Sequence, residues 1–321
     1  MGSPMVWTTQ SGFLTNNKLS KDFQRAAQPL LKFRQFVSIK EAFGKHAGES
    51  VNWLRVANID DYGGDLVETN TMHETKQGLT WGTLSVNEMG NSIPFTFKIE
   101  ALSEFDVQEI VKGGLLDDSV KCLDGKIERQ FNASPLRYVG SSTTTYAFTT
   151  NSVATATNTS ILNSYHIRKM VLELKKRNVS GYSKLGGDYG CVASLEAIEN
   201  LQGAMETINS YTESGYKKIL SGEVGRIHGV RFVEDAFASR FTYDSTAKTA
   251  TAKSWTGANS LDAYFFGSPT VMEAIVVPEE IRMKVVTDYG RSKGIAWYWM
   301  GGFKIVREIA ADATIIKWDS A

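Results

Sequence analysis

The stretch LSEFDVQEIVKGGLLDDSVKCLDGKIERQFNASP, Leu102 to Pro135, decides how the rest of the chain is read. Val107, Ile110, Val111, Leu115, Leu116, Val120, Leu123, Ile127 and Phe131 recur mostly three or four residues apart, the period of one helix face. Ser103 followed by Asp106 is a start signal of the capping-box kind. Glu104 and Glu109 lie near the positive end of the helix dipole, and Lys126 and Arg129 near the negative end. Asn132 and the Ser134-Pro135 step stop the pattern, predicting roughly 29 helical residues spanning about 43 Å. That is more than twice the usual helix length. Gly113-Gly114 falls near the middle, where each glycine costs roughly 1 kcal/mol relative to alanine, and predicts a bend or a close contact.

Upstream, Ile93, Phe95, Phe97 and Ile99 alternate with Pro94, Thr96, Lys98 and Glu100, a period-two strand running to the start of the helix. Leu79 to Val86 supplies a partner, with Leu84 and Val86 on one face and Trp81 and Thr83 on the other, and Glu88 to Ser92 reads as the turn of a β-hairpin. Pro94 has no N–H to give a ladder, which places its strand at a sheet edge. A two-stranded ribbon is marginal by itself, so either the chain's own core or a neighbouring subunit must cover it.

Composition bounds the function. The chain has 321 residues, 42% of them hydrophobic and 22% charged, an ordinary globular composition with a length prior of about two domains. Lys and Arg number 35, as do Asp and Glu, which argues against neutralisation of a phosphate backbone as the main task. Locally the balance shifts. Residues 1–50 carry seven basic side chains against three acidic ones, and residues 58–98 six acidic against two basic. Such patches are expected to steer association and fix register rather than supply affinity. Cys122 and Cys191 lie far apart and read as buried thiols, not a disulfide. There is no apolar run long enough for a membrane span and no hydrophobic signal core, so neither membrane insertion nor secretion is expected. The N-x-Ser/Thr triplets at Asn132, Asn158 and Asn178 then carry no weight. Residues 1–4 precede a second methionine, Met5, and are left out of the fold reasoning.

Beyond the long helix the pattern is mixed. Thr143 to Ser160 reads as a strand followed by a polar connection and a domain boundary. Tyr165 to Val179 reads as a second helix, Tyr189 to Ala193 as a buried strand, and Ser194 as the cap of a helix beginning at Leu195. Ile227 to Val233, broken by Gly229, Ala263 to Phe266 and Val271 to Val277 are further strands, and Tyr243 to Asn259 is an exposed loop or hairpin tip. Ile295 to Trp318 is expected to return as strands to a packed sheet.

The chemistry is thin. His46, His73, His166 and His228 are scattered, neither cysteine lies in a CxxC, and no GxSxG, P-loop or GxGxxG occurs. No enzyme, cofactor or metal site is predicted. Asn58 to Asp65 superficially suggests a calcium loop, but Tyr62 and Thr69 stand at its fifth and twelfth positions, where oxygen ligands belong, and turn chemistry explains it better.

Ile99 to Asp106, Arg34-Gln35-Phe36-Val37, Val192-Ala193-Ser194 with Ile198 to Leu201, Gly225 to Phe232 and Gly290 to Ala296, taken in order, resemble the major capsid proteins of tailed bacteriophages with the Hong Kong 97-type fold, most of all the family of coliphage N-four. The resemblance covers most of the chain and implies an α+β capsid fold. Its parts would be an N-terminal arm (1–55), an extended β-hairpin loop (56–102), a peripheral domain with the long spine helix (103–154 and 286–321) and an axial domain (155–285). It implies a structural subunit, not an enzyme, that self-assembles into the hexamers and pentamers of an icosahedral virion capsid. The shell encloses double-stranded DNA without sequence-specific binding and without a membrane. The short stretch before the spine helix leaves no room for an internal scaffold, which implies a separate scaffold protein; the resemblance also implies portal and decoration proteins and assembly in the host cytoplasm. Intersubunit contacts are expected from Trp81, Met89, Phe95, Phe97 and Arg34. A cellular cargo compartment shell of the same fold and a soluble α/β enzyme are the alternatives. Lys76 lies in the hairpin region, but no motif supports a Lys–Asn crosslink there.

Overall fold

A computed structural model describes residues 32–41, 48–56, 63–69, 71–150, 160–182, 185–195, 197–199, 201, 223–235, 241–244, 249–252 and 263–318. The readings of residues 1–31, of Asn58 to Tyr62 and of the polar connection at 151–159 lie outside these. In chain order the strands are β1 (Ser38–Glu41), β2 (Ser50–Val56), β3 (Leu79–Ser85), β4 (Asn87–Thr96), β5 (Leu136–Gly140), β6 (Tyr146–Thr149), β7 (Tyr189–Ala193), β8 (Glu223–Ile227), β9 (Val230–Glu234), β10 (Phe241–Asp244), β11 (Thr249–Ala252), β12 (Ala263–Phe266), β13 (Val271–Met283), β14 (Ser292–Ile305) and β15 (Ile315–Trp318). The α-helices whose bounds are described are α1 (Phe97–Leu102), α2 (Val107–Asn132) and α3 (Ser164–Lys176), and residues 195, 197–199 and 201 are helical as well.

The long helix α2 has 26 residues, about 39 Å at 1.5 Å per residue. Asp106 alone caps it, its carboxylate accepting from the backbone N–H of Gln108 and Glu109 at 2.8 and 3.2 Å. Ser103 instead closes α1, its hydroxyl binding Phe105 O at 2.8 Å. The helix runs unbroken through Gly113-Gly114, and a Cβ on Gly114 would meet nothing within 4 Å. That side of the expected close contact is absent among the described residues.

Its buried residues are Val107, Val111, Leu115, Ser119, Leu123, Ile127 and Phe131, a strict four-residue repeat. Four residues overshoot one turn by about 40°, so six steps carry the buried stripe about 240° around the axis. The winding lets one helix serve two cores. Val107, Val111, Leu115 and Leu123 pack with Phe95, Ile99, Ile295, Trp297 and Trp299. Ile127 and Phe131 pack with Val192, Tyr264, Phe266 and Ile315.

Those cores lie on two sheets. The first has the order β1-β13-β14-β4, and α2 covers one face of it. The second has the order β6-β5-β15-β12-β7-β9-β8 and mixes parallel with antiparallel pairs. It is buried on both sides. Cys191, Ala193, Ala263, Phe265, Ile316 and Trp318 face α3, while Val192, Tyr264, Phe266 and Ile315 face the end of α2 and the arm residues Phe33 and Phe36. Burial on both faces explains why these strands read as unbroken apolar runs.

Four sequence readings change. β3 and β4 do not pair with each other: β3 pairs with β2, and β4 pairs with β14 along ten residues from Thr96↔Ser292 to Asn87↔Gly301. The supposed turn at Glu88 to Ser92 is strand. Phe97 and Ile99 belong to α1, although Pro94 does lie on an edge strand. Ile227 to Val233 is a two-strand hairpin whose turn, His228-Gly229, has φ of 50° and 77°, the left-handed pair that a two-residue hairpin turn requires. β10 and β11 pair antiparallel and overlap the start of the polar run from Tyr243, while residues 245–248 and 253–259 of that run lie outside the described residues.

Candidate intersubunit surface

The ribbon of β2 and β3 has two unlike faces because strand side chains alternate. Its inner face, Val51, Trp53 and Leu84, packs on Met272, Ala274 and Val306 on the side of the four-stranded sheet away from α2. Two glycines allow the close approach. A Cβ on Gly302 would come within 2.3 Å of Ser85 O, and one on Gly82 within 2.3 Å of the Trp53 indole. Arg55 extends this face, lying 5.5 Å from the Trp53 ring centroid and pairing with Glu308 at 3.0 Å. Burial works against ionisation of Glu308, but hydrogen bonds from Lys304 and Arg55 hold its carboxyl below the ordinary range. The ribbon is thereby fixed at its base by apolar contact and by one ion pair.

The outer face is apolar and open to solvent. Leu54 stands opposite Trp81 and Val56 opposite Leu79, and all four are at least half exposed, Trp81 at 70%. Beyond them the loop at 63–78 adds exposed Leu66, Val67 and Met72 among Asp65, Glu68 and Glu74. Burying such a patch is worth roughly 25 cal/mol per Å² of apolar surface. Contiguous exposed apolar surface of this kind marks an interaction site more often than a bare surface.

The five residues singled out from sequence separate into groups. Trp81 lies on the outer face as expected. Phe97, at the start of α1, is half exposed, with the Lys293 ammonium 5.1 Å from its ring centroid. Met89 is half-buried on β4 opposite Trp299 and packs on the core under α2. Phe95 is 1% exposed in that same core, so its contacts are intramolecular and it is corrected from an interface residue to a core residue. The alternation of β4 shows which side chains share a face, not which face points inward.

Arg34 is engaged within its own chain. Its guanidinium reaches Glu273 with Nε–Oε2 at 3.3 Å and Nη2–Oε1 at 2.7 Å and also pairs with Glu279, all within this chain. Glu273 is fully buried. Burial raises its carboxyl and Arg34 opposes that rise. The arm is fastened around this pair: Phe33 N–H donates to Asp124 Oδ1 at 3.1 Å, Phe36 meets Phe266 with ring centroids 4.8 Å apart, and β1 adds in parallel to β13. Burial and the nearby Asp235 push the Asp124 carboxyl up to about 7, against the backbone donors of Phe33, Lys32 and Arg34.

Sequence reasoning missed the tip of the β13–β14 hairpin, where Ile281, Met283, Val285, Val286 and Tyr289 are all more than half exposed. Asp288-Tyr289-Gly290 is the turn signal that marks it. The buried His166 is bonded by Tyr138 at 2.6 Å and Ser160 at 3.1 Å inside the α3 core. Among the described residues, no three His, Cys, Asp or Glu side chains are grouped to hold a metal.

No family model and no curated protein sequence matches the chain. Solved structures do. The capsid of Ralstonia phage GP4 is 15% identical with a TM-score of 0.64, covering 95% of each chain. The mature capsid of bacteriophage PhiM1 is 13% identical with a TM-score of 0.63, covering 96% of this chain and 92% of that one. The capsid of cyanophage P-SCSP1u is 14% identical with a TM-score of 0.61, covering 97% and 94%. From the arm to the last strand, the chain has the α+β fold of phage capsid proteins, the Hong Kong 97-type fold.

Proposed function

We propose that this chain is a major capsid subunit of a tailed bacteriophage, a structural protein and not an enzyme, which assembles as a closed shell in the virion. The observation that carries this reading is the likeness over nearly the whole chain, including the ribbon, to proteins solved as phage capsids. The ribbon supports it independently: its inner face is built to dock on its own subunit, whereas Leu54, Val56, Leu79 and Trp81 remain uncovered. In the proposal these outer residues and Phe97 meet a neighbouring copy. Such copies form hexamers and pentamers around double-stranded DNA, helped by separate scaffold and portal proteins.

The narrower kinship with the coliphage N-four family rests on the sequence stretches alone. The four-part organisation is proposed as well, with one adjustment suggested by the sheets. β13 accompanies β14 and β4 over α2, while β5, β6 and β15 join the seven-stranded sheet.

Native mass measurement and negative-stain imaging of the purified chain, at low and moderate salt, test the reading. Closed particles or hexamer-sized rings are expected. A strictly monomeric species at every concentration, also in the presence of a co-expressed scaffold protein, would overturn it.

A further inference from the structure

Three neighbouring strands each place an oxidisable ring on the α3 side of the seven-stranded sheet. β15, β5 and β6 are adjacent, with Trp318 opposite Tyr138 and Tyr138 opposite Phe148 in register. The Trp318 and Tyr138 rings stack with centroids 5.6 Å apart and planes 20° apart, and Tyr138 stacks on Tyr146 at 5.1 Å and 8°. Trp318 and Tyr138 are wholly buried, whereas Tyr146, on the edge strand, is half-buried. The stack therefore runs without a gap from the core toward the surface. Packing accounts for rings in contact, but not for the base set on the middle one. The Tyr138 hydroxyl lies 2.6 Å from Nδ1 of His166, whose Nε2 lies 3.1 Å from the Ser160 hydroxyl. Burial disfavours the charged imidazole and the charged phenolate alike, so a neutral Nδ1 faces a protonated Tyr138.

We propose that Trp318, Tyr138 and Tyr146 form a relay that carries an oxidising equivalent out of the core, with His166 accepting the proton at its middle step. The relay stands independently of the shell reading.

The steps balance. Trp318 loses one electron to a one-electron acceptor, dissolved dioxygen under light absorbed by the indole, which becomes superoxide. The Trp318 indole N–H has no hydrogen-bond acceptor among the described residues, so the oxidised ring keeps its proton and its positive charge. It takes an electron from Tyr138, whose hydroxyl proton moves to His166 Nδ1, leaving a neutral phenoxyl radical beside an imidazolium. Tyr146 then gives an electron to Tyr138, which recovers its proton from His166. A buried imidazolium is costly, and discharging it sets the outward direction. The Lys169 ammonium, 5.8 Å from the Tyr146 ring centroid and 5.2 Å from that of Tyr165, opposes a cationic radical at this end, so the Tyr146 phenol proton leaves to water with the electron. Trp318, Tyr138 and His166 end unchanged, and Tyr146 has lost one electron and one proton.

The test irradiates the full chain in air-saturated buffer at a wavelength absorbed by tryptophan and maps oxidation residue by residue with peptide mass spectrometry. Trp299 is the internal reference, because it is equally buried but stacks on Phe303, which does not relay a charge, at 5.1 Å. Trp318 is expected to survive while Trp299 is lost, with oxidation collecting on Tyr146. Tyr138→Phe keeps the ring and removes the hydroxyl; loss of Trp318 relative to Trp299 should rise about tenfold, and oxidation of Tyr146 should fall. Tyr146→Phe, at the sheet edge where folding is not at stake, should move the oxidation onto Tyr138. His166→Gln retains a hydrogen-bond acceptor that does not take the proton, and it should also raise the loss of Trp318, which a purely structural role would leave unmoved. Equal loss of Trp318 and Trp299 in the unsubstituted chain, or loss of Trp318 unchanged by Tyr138→Phe and by Tyr146→Phe, would overturn the relay. Loss unchanged by His166→Gln alone would overturn the part given to the imidazole.

Discussion

Gly82 lies directly beneath the indole of Trp53, its partner across the ribbon ladder, with the missing Cβ position 2.3 Å from ring carbon Cε2. Any side chain at 82 must therefore displace the ring that seats the ribbon on the body. Gly82→Val is expected to detach the ribbon while the two sheets persist. Limited proteolysis should show early cleavage between 50 and 86 with a stable remainder; a protease-resistant ribbon would contradict the seating described for Trp53.

Trp81 and Phe95 test interface against core. Trp81→Asp, on the open face, should change stability by well under 1 kcal/mol yet suppress particle formation. Phe95→Ala should cost about 3–5 kcal/mol, since it empties a buried aromatic site under α2. Urea denaturation and particle yield, measured together for both variants, distinguish the roles. Full assembly of the Trp81 variant would remove the ribbon's outer face from the interface.

Arg34→Ala strands the fully buried carboxylate of Glu273. A loss of about 3 kcal/mol is expected near neutral pH. Because the Glu273 carboxyl is already raised by burial, acidification protonates it and the difference from the unsubstituted chain should shrink as pH falls. A pH-independent difference in denaturation midpoint would show that Arg34 acts by packing alone.

His166 gives the opposite test. Burial holds its imidazole below the ordinary value of 6.5, opposed by a hydrogen bond with Ser142, and its neutral form suits donation from Tyr138 to Nδ1 and from Nε2–H to Ser160. Below the unfolded value the unfolded chain binds more protons than the folded one, so stability present above about pH 6.5 is lost as pH falls. The melting temperature should drop between about pH 7 and pH 5, and His166→Gln should flatten that drop. An equally steep decline in the variant would assign the acid sensitivity to other groups.

Gly114→Ala is expected to stabilise the subunit by roughly 0.5–1 kcal/mol, because the added methyl enters open space in a helix interior. Thermal denaturation of the subunit checks this. A loss of stability would reveal a contact at that face.

Much of the architecture was legible where local signals and burial coincide. Tyr189 to Ala193 and Ala263 to Phe266 were readable to the residue because both faces of their sheet are covered and turn chemistry bounds them. The helix ended at Asn132 as read, but it started later, because Asp106 and not Ser103 provides the cap. The hairpin failed for a physical reason. β3 and β4 are consecutive, yet each pairs with a strand that periodicity does not identify, β2 and β14, and Phe97 to Leu102 alternates like a strand while tertiary contacts make it helical.

The candidate surface was half legible. Trp81 was visible as the outward residue of an alternating strand. Phe95 was misplaced because the α2 core that buries it is not marked in its own strand, and the pairing of Arg34 with Glu273 was invisible because the two lie far apart in sequence. Tyr289 carried only a short turn signal, and what makes it notable, full exposure on a left-handed backbone, exists only in three dimensions.

The winding of the buried stripe on α2 also makes the helix a torsion element. The two sheets grip it at faces separated by a large rotation, so a slight over- or underwinding between Leu115 and Ile127 re-aims one sheet against the other while each keeps its packing. A change of only about 1° per residue, summed over that stretch, tilts them by about 12°. In the proposed closed shell of identical chains, subunits at unequal curvature take up the difference there, in the pitch of a single helix, and leave both cores unchanged.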